Sequence, residues 1–201
     1  MGKKEISTLE GFNENRALMG AYNQYKNHFT IHRNLKEAYH LLCNAISTRN
    51  TAPDQHIIYE AFLFSAINLY ARWFKNTEQK TMLDAHDYFS EGNLLDVHKS
   101  IIELRDKYIA HNQLDILGGD TADYEIVDGK VVVSSSFNKV LIAKDNSTGA
   151  YYVSDLEHKI LFSLVDFHKC LICVHDKLRD ELLPDKQEKL RKKVEEHINL
   201  K

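Results

Sequence analysis

Arg105 and His111, with five residues between them, are the side chains of this sequence whose types and spacing best suit chemistry on a phosphodiester. Arginine offers a planar, permanently charged fork for phosphate oxygens. Histidine has the one unperturbed side-chain pKa near neutrality and can relay protons. Asp106, Tyr108 and Asn112 crowd the same two turns. Arg105 and His111 together suffice for metal-free cleavage of RNA. At about 100° per residue, Arg105, Ile109 and Asn112 share one side of a helix, whereas His111 is turned roughly 120° away and stands about 9 Å further along. Convergence therefore needs long side chains, a loosened helix end or a second subunit. The competing reading is structural, with Arg105 paired to a surface acid and His111 interacting with the helix C-terminus.

Other constellations are weaker. His168, Cys170, Cys173 and His175 could be four metal ligands within eight residues. On one helix, however, the histidines share a face and both cysteines fall roughly opposite, so a tetrahedron cannot close. The cysteines read as buried small apolar groups. His28 and His32 have the spacing of a helical metal pair but lack the intervening Glu of the protease arrangement, and read as surface histidines. Asp145-Asn146-Ser147-Thr148-Gly149 shares only the start of a calcium loop. No phosphate-binding glycine loop and no serine nucleophile elbow occur.

The element that must position Arg105 and His111 is a helix over residues 93–113. Leu94, Val97, Ile101, Leu104 and Tyr108 form its apolar stripe, with Asn93 as the expected N-cap, Asp96 in its first turn and Gly118-Gly119 beyond its end. Upstream, residues 13–26 and 30–48 carry two helical stripes that make either two helices or one bent one. Thr51-Ala52-Pro53-Asp54 is a break, with Asp54 as the next expected cap. Residues 55–75 are apolar around most of their circumference, which predicts a central helix or a dimer surface. Downstream, two β-rich runs flank Asp128-Gly129, the dipeptide that tight hairpin turns prefer. Residues 138–153 predict a second hairpin. Ser154 is the expected cap of a long helix through 183, broken at Pro184, with a charged terminal helix over 185–200. The expected fold class is mainly α: a helical bundle, one domain over 1–201, with a small antiparallel β-hairpin insertion over 120–153.

The chain has 201 residues, 43% hydrophobic and 27% charged, with only two prolines and eight glycines. These values suit one soluble, helix-rich domain. A formal net charge of −3 excludes a broad basic coat for DNA but not a local phosphate site. Three cysteines in no framework spacing fit a reducing compartment. No apolar run is long enough for a membrane span, and the N-terminus lacks a signal-peptide core. The expected location is cytoplasmic, with no membrane partner.

The string Arg105-Asp-Lys-Tyr-Ile-Ala-His111-Asn resembles the signature of the HEPN superfamily, an Arg followed after four to six residues by His near the end of a bundle helix. The longer string LRDKYIAHN is similar to the abortive-infection branch of that superfamily. The resemblance spans residues 15–115 together with the helix after 154. It implies a helical, dimeric, metal-independent endoribonuclease of the toxin–antitoxin or phage-defence kind, with Arg105 and His111 catalytic and no cofactor. Asp106, Tyr108 and Asn112 match looser preferences and are the expected substrate-binding residues. RNA, a second copy of the chain and an antitoxin or other partner protein are the implied partners. Two alternatives stand beside this reading: a non-catalytic helical interaction protein and a nucleotide-sensing module.

Overall fold

The computed structural model describes residues 15–52, 55–74, 83–89, 92–106, 124–127, 130–133, 140–155 and 160–199. Helices dominate. The order is α1 (Arg16–Thr51), α2 (His56–Ala71), a single 3-10 turn (Ala85–Asp87), α3 (Asn93–Leu104), strands β1 (Tyr124–Val127), β2 (Lys130–Val133), β3 (Val140–Lys144), β4 (Tyr151–Asp155) and β5 (Ile160–Ser163), then α4 (Leu164–Lys177), a π-helical turn (Leu178–Leu182) and α5 (Leu183–Asn199).

The two stripes before residue 50 form one continuous helix of 36 residues, about 54 Å long. Asn15 caps it: its Oδ1 accepts from the Ala17 and Leu18 amides at 3.1 Å each. The Asn15 amide also donates to His197 Nδ1 at 3.2 Å, so the first cap is tied to the last helix. Losing both roles, Asn15→Ala should lower unfolding free energy by about 1–2 kcal/mol. Urea denaturation would check this, and an unchanged midpoint would contradict the double role.

The helix α2 is the central element anticipated from its composition. Tyr59, Leu63, Ala66, Ile67, Tyr70 and Ala71 are all essentially inaccessible to solvent. Its cap position is Gln55, without a side-chain bond; the expected cap, Asp54, lies outside the described residues. Against α2 lie Leu35, Ala38 and Leu42 of α1, Ile101 and Leu104 of α3, and Phe167, Leu171 and Val174 of α4 in one continuous core.

The sheet has the order β2-β1-β3-β4-β5. Both expected hairpins are present as antiparallel pairs, β1 with β2 and β3 with β4, and a single parallel pairing of Glu125 with Lys144 joins them. The turn of the second hairpin is built by Asp145, whose carboxylate accepts from the Ser147 amide (2.8 Å), the Ser147 hydroxyl (2.7 Å) and the Thr148 hydroxyl (2.8 Å). Gly149 follows at φ 72°, a left-handed conformation that suits glycine. The Ser147 bonds, with those from Thr148, hold the exposed Asp145 carboxyl down to about 2. Its oxygens are committed to the turn.

The fifth strand corrects the sequence reading. Ser154 is not a helix cap; it lies in β4, where it is fully buried. The sheet continues to Ser163, pairing Val153 with Phe162 and Tyr152 with Ser163. The cap of α4 is Ser163, whose Oγ accepts from the Asp166 amide at 3.0 Å while its hydroxyl donates to the Asp166 carboxylate at 2.8 Å. Tyr151, Val153 and Phe162 join the helical core, so this edge of the sheet is packed against the bundle. Arg49, at the end of α1, fastens the junction: its guanidinium carbon is 5.0 Å from the Tyr59 ring centre and 5.9 Å from that of Tyr151. The Tyr151 hydroxyl donates to Asn50 Oδ1 at 2.7 Å.

Pro184 does not break the last helix. Proline removes an amide and its ring clashes with the carbonyl four residues back. The π-helical turn directly before it shifts the pattern, with the Leu183 amide bonding the Leu178 carbonyl, and helix resumes through Asn199. The charge alternation on α5 forms exposed i,i+3 and i,i+4 pairs such as Lys189–Asp185 and Arg191–Glu188, as expected for a solvated face.

Candidate functional site at the end of α3

The helix carrying the motif starts at Asn93, but its cap position is Gly92, at φ 137°. Asn93 is the first residue of the helix rather than its cap, and its side chain helps hold the Asp166 carboxyl of α4 below the usual carboxylate range. Leu95, Val97, His98, Ile101 and Leu104 are buried, which is the anticipated stripe with two additions, Leu95 and His98; Leu94 is only partly covered.

Arg105 follows His98 by seven residues and so continues the buried side of α3, about 10 Å further along the axis. Its side chain is 28% exposed, and its Nη1 donates to the Asp106 carboxylate at 3.1 Å. Its Nε is buried without a hydrogen-bond partner among the described residues. At Arg105 and Asp106 the helix passes into π geometry. Such widened turns re-aim side chains and recur at functional sites. The arrangement is a partly buried guanidinium held beside a carboxylate. Tyr108, His111 and Asn112 lie outside the described residues.

Two buried ionisable groups escaped the sequence reading. His98 is 5% exposed and sits among Tyr70, Phe74 and Phe89, with ring centres 4.5 Å from Phe74 and 5.3 Å from Phe89. The Tyr70 hydroxyl bonds His98 Nδ1 at 2.8 Å. Burial, aided by Lys99 and His86, pushes the imidazole down to about 4, so it stays neutral at pH 7. Glu60 on α2 is 2% exposed; burial raises its carboxyl to about 7, against the opposing pull of Arg49. The helical stripes were the only available signal: both residues fall on faces otherwise apolar.

The His and Cys run of α4 divides between faces as helix geometry requires. The Cys170 thiol donates to the Leu94 carbonyl at 3.5 Å and Cys173 to that of Tyr88 at 3.1 Å. Burial pushes the Cys170 thiol up to about 12, which removes it from thiolate chemistry at neutral pH. His168 and His175 instead meet α1, beside Tyr39 and His32 respectively. His28 and His32 are not surface histidines. His28 is 9% exposed and bonds the Gln24 carbonyl at 2.8 Å. The His32 ring stacks on that of His175 at 4.4 Å, because α4 lies over this face of α1. Among the described residues no group of three or more His, Cys, Asp or Glu side chains could hold a metal ion, and no helix is long and apolar enough to cross a membrane.

Comparison with family models, curated proteins and solved structures finds no match to this chain.

Proposed function

We propose that the protein is a metal-independent endoribonuclease of the HEPN type, with Arg105 and His111 as its catalytic pair. The observation that supports this reading is the state of Arg105: a partly buried guanidinium at a widened turn, its Nε buried without a hydrogen-bond partner among the described residues and its Nη1 on Asp106. His111 takes the proton of an RNA 2′-hydroxyl as the 2′-oxygen attacks phosphorus, and the bond to the 5′-oxygen breaks. The leaving oxygen collects a proton from the second histidine of a dimer or from water. Arg105 stabilises the charge that builds on the phosphorane oxygens, help that is largest in a preorganised, partly dry site. Asp106 orients the guanidinium, while Tyr108 and Asn112 contact the substrate. The test is incubation with single-stranded RNA in excess EDTA and analysis of the new ends. A 2′,3′-cyclic phosphate is the expected product, and intact RNA would count against the reading.

A second copy of the chain would bring an Arg105 and a His111 together even though the two diverge on a regular helix; the π geometry at Arg105 and Asp106 loosens the helix end in the same direction. Apolar surface supports such a dimer: on α2, Ile58 is 46% exposed and Phe62 and Leu69 are only partly covered. Sedimentation equilibrium should show a species of twice the 23.3 kDa chain mass; a monomer at micromolar concentration would remove the shared cleft. A role as a toxin or phage-defence effector in the cytoplasm, restrained by a partner protein, would follow from such an activity.

One observation favours a second reading. The 3.1 Å Arg105–Asp106 pair is a satisfied interaction by itself, and a non-catalytic helical interaction protein needs nothing more from it. RNA left intact by a folded dimer would select that reading.

A further inference from the structure

The groove between α1 and α4 is separate from the end of α3 and contains a cavity of about 300 Å³. This volume is at the small end of ligand cavities, suited to a small molecule rather than to a helix or strand. Its walls come from two helices: Lys36, Tyr39 and His40 of α1 face Leu171, Ile172 and His175 of α4. Two of the rings are held in place by neighbours. Tyr39 lies against His168, with ring centres 5.0 Å apart, and His175 is stacked on His32. The result is a preformed slot with aliphatic and aromatic sides.

Charge decides what fits the slot. Asp176 also lines it, but this carboxylate is already engaged, with His175 at 3.1 Å and Arg179 at 3.0 Å. Lys36 makes no ion pair among the described residues, so it is the lining charge left to meet a ligand. The same field acts on His32: burial first, then His175, Lys36 and Arg179, all oppose its protonation. The His32 Nε2 is itself buried without a hydrogen-bond partner among the described residues.

We propose that this groove binds a small planar organic anion. The ring lies against Leu171 and Ile172, and the acidic group meets the Lys36 ammonium with His40 beside it. A gap that is merely left between two helices would accept an apolar ring regardless of its charge. The built site discriminates.

The experiment titrates the full-length protein with 1-naphthoate and, separately, with 1-naphthylmethylammonium, which carries the same ring with the opposite charge. Naphthoate should bind at least about tenfold more tightly, the worth of one charge-assisted contact. Lys36→Ala should abolish that preference, and Ile172→Asp should abolish naphthoate binding. Both positions are exposed, so an unchanged circular dichroism spectrum is expected and serves as the control for folding. Lys192→Ala, on the solvated face of α5, should bind as wild type does. Equal affinity for the two probes, naphthoate binding untouched by Lys36→Ala, or no binding of either probe would each overturn the proposal.

Discussion

Arg105→Ala and His111→Ala should each slow RNA cleavage in EDTA by about 100-fold or more, the usual cost of losing a charge-stabilising donor or a proton-transfer group. The loss should fall on kcat with little change in KM, because both groups act mainly as charge and protons move in the transition state. Arg105→Lys should recover part of the rate: a lysine keeps the charge but lacks the planar fork that holds two phosphate oxygens. Stability should fall by about 1 kcal/mol for Arg105→Ala, since the Arg105–Asp106 pair is only partly buried, at 28% and 30% exposed, and solvent still screens it. The structural reading makes the opposite forecast. If Arg105 anchors a buried network, its truncation costs about 3–5 kcal/mol and no RNA phenotype accompanies it. Equal cleavage by wild type and both alanine variants would sink the assignment and point to a contaminating nuclease.

The second large effect concerns stability against pH, where two buried groups oppose each other. The folded-state pKa of His98 lies below its ordinary value, falling from 6.5 to about 4. The unfolded chain therefore binds the extra proton first as pH falls. The stability His98 contributes is complete above pH 6.5 and drains away toward pH 4, by about 3 kcal/mol at most. Glu60 has the reverse sign: its folded pKa lies above its ordinary value, rising from 4.5 to about 7. Its contribution is complete below pH 4.5 and is lost as pH rises through 7, again by about 3 kcal/mol at most. Between these limits the two slopes nearly cancel. Glu60→Gln should unmask the His98 slope, so that the variant gains on wild type by up to about 3 kcal/mol between pH 4.5 and 7. His98→Gln should show the mirror image. Urea unfolding of the three proteins at matched pH values measures both slopes. Parallel pH profiles for wild type and Glu60→Gln would show that Glu60 is ionised in the fold after all.

Much of this fold follows from local periodicity. The apolar spacing of residues 94, 97, 101 and 104 can be buried on one side only by a helix, and α3 forms there. The near-continuous apolar circumference of α2 demands neighbours on several sides, which it has in α1, α3 and α4. The β-rich runs flanking Asp128-Gly129 read as a hairpin, and Tyr124 stands opposite Val133 as that requires. The position of Arg105 at the end of an apolar stripe was visible because it needs no partner to be recognised.

What the sequence left open depended on partners distant along the chain. The run Ile160-Leu161-Phe162-Ser163 is apolar enough for helix or strand; pairing with β4 makes it a strand and moves the cap of α4 from Ser154 to Ser163. Asn93 has the right chemistry for a cap, yet the helix takes it as its first residue and Gly92 fills the cap position. Pro184 carries a local signal to stop, overridden by one π-helical turn that spares the clash. His98, Glu60 and His32 are ordinary polar residues in the string of letters. Only the helices that close over them decide that His98 and Glu60 exchange their usual preferences for charge, and that His32 lies against His175. The apolar slot beside Lys36 exists for the same reason: desolvation and ring stacking are properties of neighbours, and neighbours on different helices are set by tertiary packing alone.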